Sequence, residues 1–206
     1  ALLKRAHCIV IASGGKILEI AREYNLFYIQ LPLGWASPRA MLGYNMISLL
    51  ALLYHTNLIG AAFIKETENA MEYLDRSEKA IQTEAEIIAR KLKGKLPVIY
   101  CDQRLQAMAV RFQQQLNENS KQLAHVNTFP EMNHNELTGW RFPENLLPML
   151  QVIYLYSDHD HERVEKRMDI CRDIFEKKSN SIIDIVGEGA SLLEHYYYLI
   201  HLTDWR

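Results

Sequence analysis

Two stretches, Cys8-Ile9-Val10-Ile11-Ala12-Ser13-Gly14-Gly15-Lys16 and Leu26-Phe27-Tyr28-Ile29-Gln30-Leu31, decide the fold class of this chain. The first is a short apolar run of β-branched residues closed by a glycine turn, after which Ile17, Ile20 and Ala21 recur at helical spacing through Tyr24. The second reads as another strand, ended by Pro32, and Pro38 suits the first turn of a following helix. Strand, helix, strand, helix in that order predicts a parallel sheet with helices packed on it, an α/β fold.

The same alternation returns farther along. Between Glu66 and Leu92 the composition turns charged and helix-favouring, with Ala70, Met71, Leu74, Ala80, Ile81, Ala85 and Ile88 as its apolar stripe, and Gly94 ends it. Pro97-Val98-Ile99-Tyr100-Cys101 opens a second unit, with later strands expected over residues 123–126, 151–156 and 181–186. Its helices are expected near residues 103–119, 161–177 and 190–203. The expected organisation is a first α/β unit over 1–64, a helical connector over 65–94 and a second α/β unit over 95–206. Ala1-Leu2-Leu3-Lys4-Arg5-Ala6-His7 reads as the end of a helix feeding a strand, so the chain is expected to begin inside a domain.

Composition narrows the function classes. With 206 residues, 49% of them hydrophobic, the chain can bury a sizeable core. A formal charge of −2 and the lack of a Lys/Arg cluster leave no electrostatic footprint for nucleic acid. The longest apolar stretch, residues 41–63, carries Asn45, His55 and Asn57, whose cost at membrane depth argues for a buried helix and no membrane partner. Cys8, Cys101 and Cys171 are odd in number and far apart, which suggests reduced thiols and a cytoplasmic setting.

The polar stretch Gln113-Gln114-Gln115-Leu116-Asn117-Glu118-Asn119-Ser120-Lys121, followed by Pro130-Glu131-Met132-Asn133-His134-Asn135-Glu136-Leu137-Thr138-Gly139-Trp140, carries the chemistry. Asparagine is disfavoured inside helices and strands, so Asn117, Asn119, Asn127, Asn133 and Asn135 point to binding rather than folding. In the helix from Gln103, Leu105, Met108, Ala109, Phe112 and Leu116 form an apolar stripe, and Arg111, Gln114, Gln115 and Glu118 fall on the other side. Glu118 is therefore either a solvated surface carboxylate or a base aimed at a cleft. His134 is either a loop histidine held by Glu131 or Glu136, or an acid–base group suited to neutral pH. Together they suffice for proton transfer on a sugar.

Other candidates are weaker. Ser13-Gly14-Gly15-Lys16 has the place of an anion-binding turn but the spacing of an ordinary one. Arg39, at a helix start where it opposes the dipole, is either solvated or placed for an anionic ligand. Asp158-His159-Asp160-His161-Glu162 reads as a helix cap, because adjacent ligands converge poorly and no third ligand stands at a characteristic spacing. Tyr196, Tyr197 and Tyr198 read as core and interface aromatics. No metal or cofactor is expected.

These motifs resemble the bifunctional phosphoglucose/phosphomannose isomerases of the sugar isomerase (SIS) domain superfamily. The likeness rests on Ser13-Gly14-Gly15-Lys16, on Leu31-Pro32-Leu33-Gly34 with Pro38-Arg39-Ala40-Met41-Leu42-Gly43-Tyr44, and on the Asn117-Glu118-Asn119 and Asn133-His134-Asn135-Glu136 motifs with Gly139-Trp140. The resemblance implies three-layer αβα sandwiches with parallel sheets, one partial and one nearly complete SIS domain, assembled as a homodimer with sites at the subunit interface. It implies that Glu118 moves a proton between C1 and C2 of an open-chain hexose 6-phosphate without a metal. His134, contributed across the interface, would open the pyranose ring, and Arg39 would bind substrate and stabilise the enediolate. The family's glycine-rich phosphate cradle would precede Ala1 and its C-terminal helix would follow Arg206, so the chain is expected to be cut at both ends, with Ser13-Gly14-Gly15-Lys16 a packing turn. The rival readings are a non-catalytic sugar-phosphate-binding module and a dimerising remnant.

Overall fold

The computed structural model describes residues 6–35, 37–179 and 181–205. The chain divides into two compact units, Ala1–Phe63 and Ile64–Arg206. Most of the helix end expected over residues 1–7 lies outside the described residues.

In the first unit β1 (Ile9–Ala12) and β2 (Phe27–Gln30) pair in parallel, Ile9 opposite Phe27, with α1 (Lys16–Glu23) between them in sequence. Gly15 precedes α1 at a φ of 76°, a left-handed conformation that glycine adopts without steric cost. Leu18 and Ala21 of α1 are buried. Pro38–Met41 forms a single 3-10 turn that leads into α2 (Leu42–His55).

The expectation of one buried helix over 41–63 is corrected here. α2 ends at His55, Asn57 takes a φ of 57°, and none of the α2 residues is fully buried. Tyr44, Ile47 and Leu49 are exposed. A helix apolar on all sides needs cover on all sides, and a two-stranded sheet with one other helix offers the first unit too little. No helix among the described residues is long and apolar enough to cross a membrane.

The second unit takes nearly all of α3 (Ala62–Leu92), whose buried stripe is Ala70, Leu74, Ile81, Ala85, Ile88 and Leu92. Met71 and Ala80, expected in that stripe, are exposed. Gly94 follows at a φ of 74°. The sheet comprises β3 (Leu96–Asp102), β4 (His125–Phe129), β5 (Leu150–Tyr156) and β6 (Ile182–Val186), all parallel in the order β4-β3-β5-β6. Val98 stands opposite His125 on one side and Val152 on the other.

Helices cover both faces, so the central strands read as continuous apolar runs rather than alternating ones. On one face Val98, Tyr100, Val152 and Tyr154 pack with Met132 of α5 (Glu131–His134), with Trp140 and with Met168, Cys171 and Phe175 of α6 (Glu162–Ser179). Each of the large side chains there contributes roughly 1.5–3 kcal/mol of burial. On the other face lie Ile99, Cys101, Ile153 and Leu155, all fully buried. That face is covered by α4 (Gln106–Glu118) and α7 (Leu192–Asp204), and Phe112 and Leu202 converge with Ile185 there. α3 packs on α7: Tyr198 donates to Glu84 at 2.8 Å and lies 6.0 Å from the Tyr73 ring.

β4 starts at His125, later than the 123–126 expected. The Gln122 amide donates to the carbonyls of Leu92 and Lys95 at 2.8 and 2.7 Å, which holds the chain in a loop until it can pair with Val98.

Candidate active site

α4 starts at the C-terminal end of β3 and runs back along the sheet, so its last residue, Glu118, stands towards the N-terminal edge. Asn117 and Glu118 are exposed, in line with a side chain turned away from the core. Lys121 Nζ donates to the Glu118 carbonyl at 2.5 Å.

Two neighbours differ from expectation. Gln115 is buried, not on the polar face, and its Nε2 donates to Asp204 Oδ1 at 2.8 Å; Arg111 pairs with the other oxygen of Asp204 at 2.5 Å. The cause is α7, which lies along α4 and takes up the flank that would otherwise be wet. Asn119 donates to Gln115 Oε1. Asn119, Ser120, Gln115 and Asp204 line a cavity of about 290 Å³ with an apolar floor that includes Ile88 and Phe112.

His134 ends α5 and is exposed. Among the described residues its ring has no hydrogen-bond partner, so neither Glu131 nor Glu136 holds it. Glu131 accepts from Asn135 instead, at 3.2 Å. α5 is pinned by Met132, fully buried, and by Asn133 Nδ2, which lies 3.0 Å from Cys171 Sγ.

Glu136 is the hub of a polar cluster beneath this segment, and no spacing in the chain marked it. It accepts from the Tyr100 hydroxyl, from Asn127 Nδ2 at 2.6 Å, and lies 2.9 Å from His125 Nε2. Trp140 Nε1 in turn donates to the Tyr100 oxygen at 2.9 Å. Burial pushes the Glu136 carboxyl up, but the three donors outweigh it and hold it below its ordinary value. The hydrogen bond to Glu136 raises the His125 pKa, and burial followed by Glu136 raises that of Tyr100. Residues 131–140 are thus tied to β3 and β4 by a satisfied half-buried carboxylate.

The structure does not bring Glu118 and His134 together within one chain. Glu118 belongs to the α4 layer; α5 follows the C-terminal end of β4 and packs on the opposite face with α6. Glu118 and His134 also stand towards opposite ends of the strands, and β3 is about 23 Å long at roughly 3.3 Å per residue.

Arg39 sits in the Pro38–Met41 turn of the first unit and is half-buried. Beside it Ser13, Gly14, Leu31, Pro32, Gly34 and Pro38 line a cavity of about 360 Å³. It opens beyond the C-terminal ends of β1 and β2, where parallel sheets take their ligands.

Asp158-His159-Asp160-His161-Glu162 reads from its spacing as a helix cap, its adjacent ligands converging poorly and lacking a third. The fold supplies one: α7 carries His195 to within 3.3 Å of Asp158 Oδ1. Sequence spacing carried no signal for it, because residues 158 and 195 meet only through the sheet.

Comparison with known proteins adds the family context. Residues 81–206 match the model of the bacterial phospho-glucose isomerase C-terminal SIS domain. The chain is 35% identical over 195 residues to the bifunctional phosphoglucose/phosphomannose isomerase of Aquifex aeolicus, covering 95% of this chain and 58% of that protein. It is 35% identical over 209 residues to its namesake in Caldicellulosiruptor bescii, covering 98% and 61%. The chain thus spans about three fifths of the relatives it matches. Among solved structures it is similar to a putative sugar binding protein from Salmonella typhimurium, with a TM-score of 0.65 at 15% identity over 99% of this chain and 74% of that one.

Proposed function

The chain belongs to the family of the bacterial phosphoglucose isomerase C-terminal SIS domain, and from that premise we propose that it carries the proton-transfer half of an aldose–ketose isomerase site. The substrate is glucose 6-phosphate, interconverted with fructose 6-phosphate through a cis-enediol, and the names of the relatives point to mannose 6-phosphate as a second. The observation that carries this reading is Glu118: an exposed carboxylate at a helix end, between two asparagines, with the second of them lining a cavity.

The hydrogen on C2 is very weakly acidic, and a carboxylate with an ordinary pKa of about 4.3 removes it only if positive charge meets the developing oxyanion. Arg39 supplies that charge. Glu118 takes the proton from C2 and returns it to C1, so one base serves both directions. His134, whose imidazole can both donate and accept a proton, opens the pyranose ring.

Because Glu118 and His134 occupy opposite layers of one sheet, a site that uses both draws them from two copies of the chain. This supports a homodimer with its sites at the interface. The first unit is then the C-terminal part of one SIS domain and the segment 95–206 most of a second, with 65–94 between them.

The test is proton NMR of fructose 6-phosphate and glucose 6-phosphate in D2O with the chain present. Deuterium entering C1 or C2 in step with isomerisation, and lost in Glu118→Gln, is the expected result. Equal incorporation by Glu118→Gln removes Glu118 as the base, and no incorporation by the wild-type chain removes the proposal that this chain carries the chemistry.

A further inference from the structure

We propose that Asp158, His159 and His195 form a binding site for a divalent transition metal of the Zn²⁺ class, at the C-terminal edge of the second unit's sheet. Each of the three offers one ligand atom, and these atoms all lie within 4.8 Å of one another. Asp158 Oδ1 is 3.3 Å from His195 Nε2 and 3.5 Å from His159 Nε2. Zinc bonds of about 2.0–2.2 Å at tetrahedral angles put neighbouring ligand atoms roughly 3.3–3.5 Å apart, so both carboxylate–imidazole edges already have the required length. The remaining imidazole–imidazole edge closes by at most about 1.4 Å, within reach of a turn of the His159 ring.

A second observation points the same way. His159 Nε2 is buried and, beyond its 3.5 Å contact with Asp158, has no hydrogen-bond partner among the described residues; its ring faces the His195 ring with centroids 5.2 Å apart. Buried polar nitrogens in native proteins are nearly always satisfied, and an imidazole nitrogen without a hydrogen bond, aimed at a carboxylate and a second imidazole, fits a metal ligand.

The surroundings fit a metal centre. His195 is 1% exposed, and its ring is fixed by Gly187, where an added Cβ would come within 2.8 Å of it. Ser157 Oγ lies 2.8 Å from His195 Nδ1 and accepts from the His159 backbone N–H at 3.1 Å, so one hydroxyl orients the His195 ring and holds the His159 main chain beside it. Arg104 donates to the His159 carbonyl and holds the loop from the β3 side. His195 Nε2 lies 3.1 Å from the Gly189 carbonyl. When the metal binds, His195 carries its proton on Nδ1, donated to Ser157 Oγ, and Nε2 presents its lone pair.

Two imidazoles and one carboxylate suit Zn²⁺, Co²⁺, Ni²⁺ or Fe²⁺ rather than Ca²⁺ or Mg²⁺, which require oxygen donors. Three protein ligands leave a fourth position open to water or an anion. The site lies beyond the C-terminal end of β5, whereas Glu118 stands towards the opposite edge of the sheet. The inference therefore does not rest on the isomerase reading.

The experiment is equilibrium dialysis of the whole chain against Zn²⁺ alone, with Co²⁺ absorption as the spectroscopic readout. One metal per chain is expected, with visible d–d bands and no thiolate charge-transfer band from the cysteines. His159→Gln and Asp158→Asn, both on accessible side chains and checked for folding by circular dichroism, should each weaken binding at least about tenfold. No uptake by the wild-type chain overturns the proposal. So does uptake that both variants leave unchanged, or a thiolate band in place of the imidazole–carboxylate spectrum.

Discussion

Replacing Glu136 with Gln tests whether the buried polar cluster holds the segment that carries His134. Gln keeps the shape and can still accept from the Tyr100 hydroxyl, but its amide N–H groups then face the donors of Asn127 and His125. The hydrogen bonds lost or weakened are to a charged acceptor, worth about 1.5–3 kcal/mol each where buried. His125 is half-exposed and adds at most about 1 kcal/mol after solvent screening. The expected loss is about 2–4 kcal/mol, or roughly 5–15 °C in Tm for a chain of this length. Urea unfolding followed by Trp fluorescence is the assay, since Trp140 bonds to Tyr100 inside the cluster. Tyr100→Phe supplies the partner for a double-mutant cycle, and a coupling of about 0.5–3 kcal/mol is expected between residues in contact. A loss below about 0.5 kcal/mol, or strict additivity with Tyr100→Phe, would refute the view that Glu136 anchors this segment.

The same pair sets a pH dependence. The Glu136 pKa is lowered from 4.5, so its contribution is present above that value and is lost as pH falls through the folded value; the His125 pKa is raised from 6.5, so its contribution is present below that value and is lost as pH rises through the folded one. The stability difference between wild type and His125→Gln should therefore be largest between about pH 4.5 and 6.5 and shrink on either side, and a difference flat from pH 4 to 9 would count against the ion pair. On the proposed isomerase function, His134→Ala should slow turnover of ring-form hexose 6-phosphate by about 10²–10⁴ relative to an open-chain analogue, as expected for a lost acid–base group; equal losses on both substrates argue against ring opening. Cys101 and Cys171 are buried and burial pushes both thiols up, so a thiol reagent at pH 8 should label Cys8 quickly and the other two only on unfolding; three fast thiols by colorimetric titration would contradict the packing.

Much of the architecture was legible in local pattern. The β-branched runs at Ile9 and Val98, the glycine at Gly15 and the stripe of α3 each signal an element through the chain's own periodicity and turn chemistry. Glu118 and His134 were legible as candidates because asparagine-flanked charged groups at element ends make little sense for folding alone. β4 starts later than its local pattern suggests because Gln122 is captured by carbonyls of an earlier helix end, Leu92 and Lys95, a contact that no local window contains. Helical spacing places Gln115 on the polar side of its helix, since its partner, Asp204, lies 89 residues away.

The sequence by itself determined the α/β class, the order of the elements and which helix ends carry polar chemistry, since these depend on residues within a few positions of one another. Only the tertiary structure decided that Glu118 and His134 lie on opposite layers, that Glu136 gathers Tyr100, His125 and Asn127, and that His195 meets Asp158 and His159. The reason is physical: a parallel sheet sets side by side strands that are far apart in the chain, and the side chains converging at its edges are chosen by strand order and register rather than by spacing along the sequence.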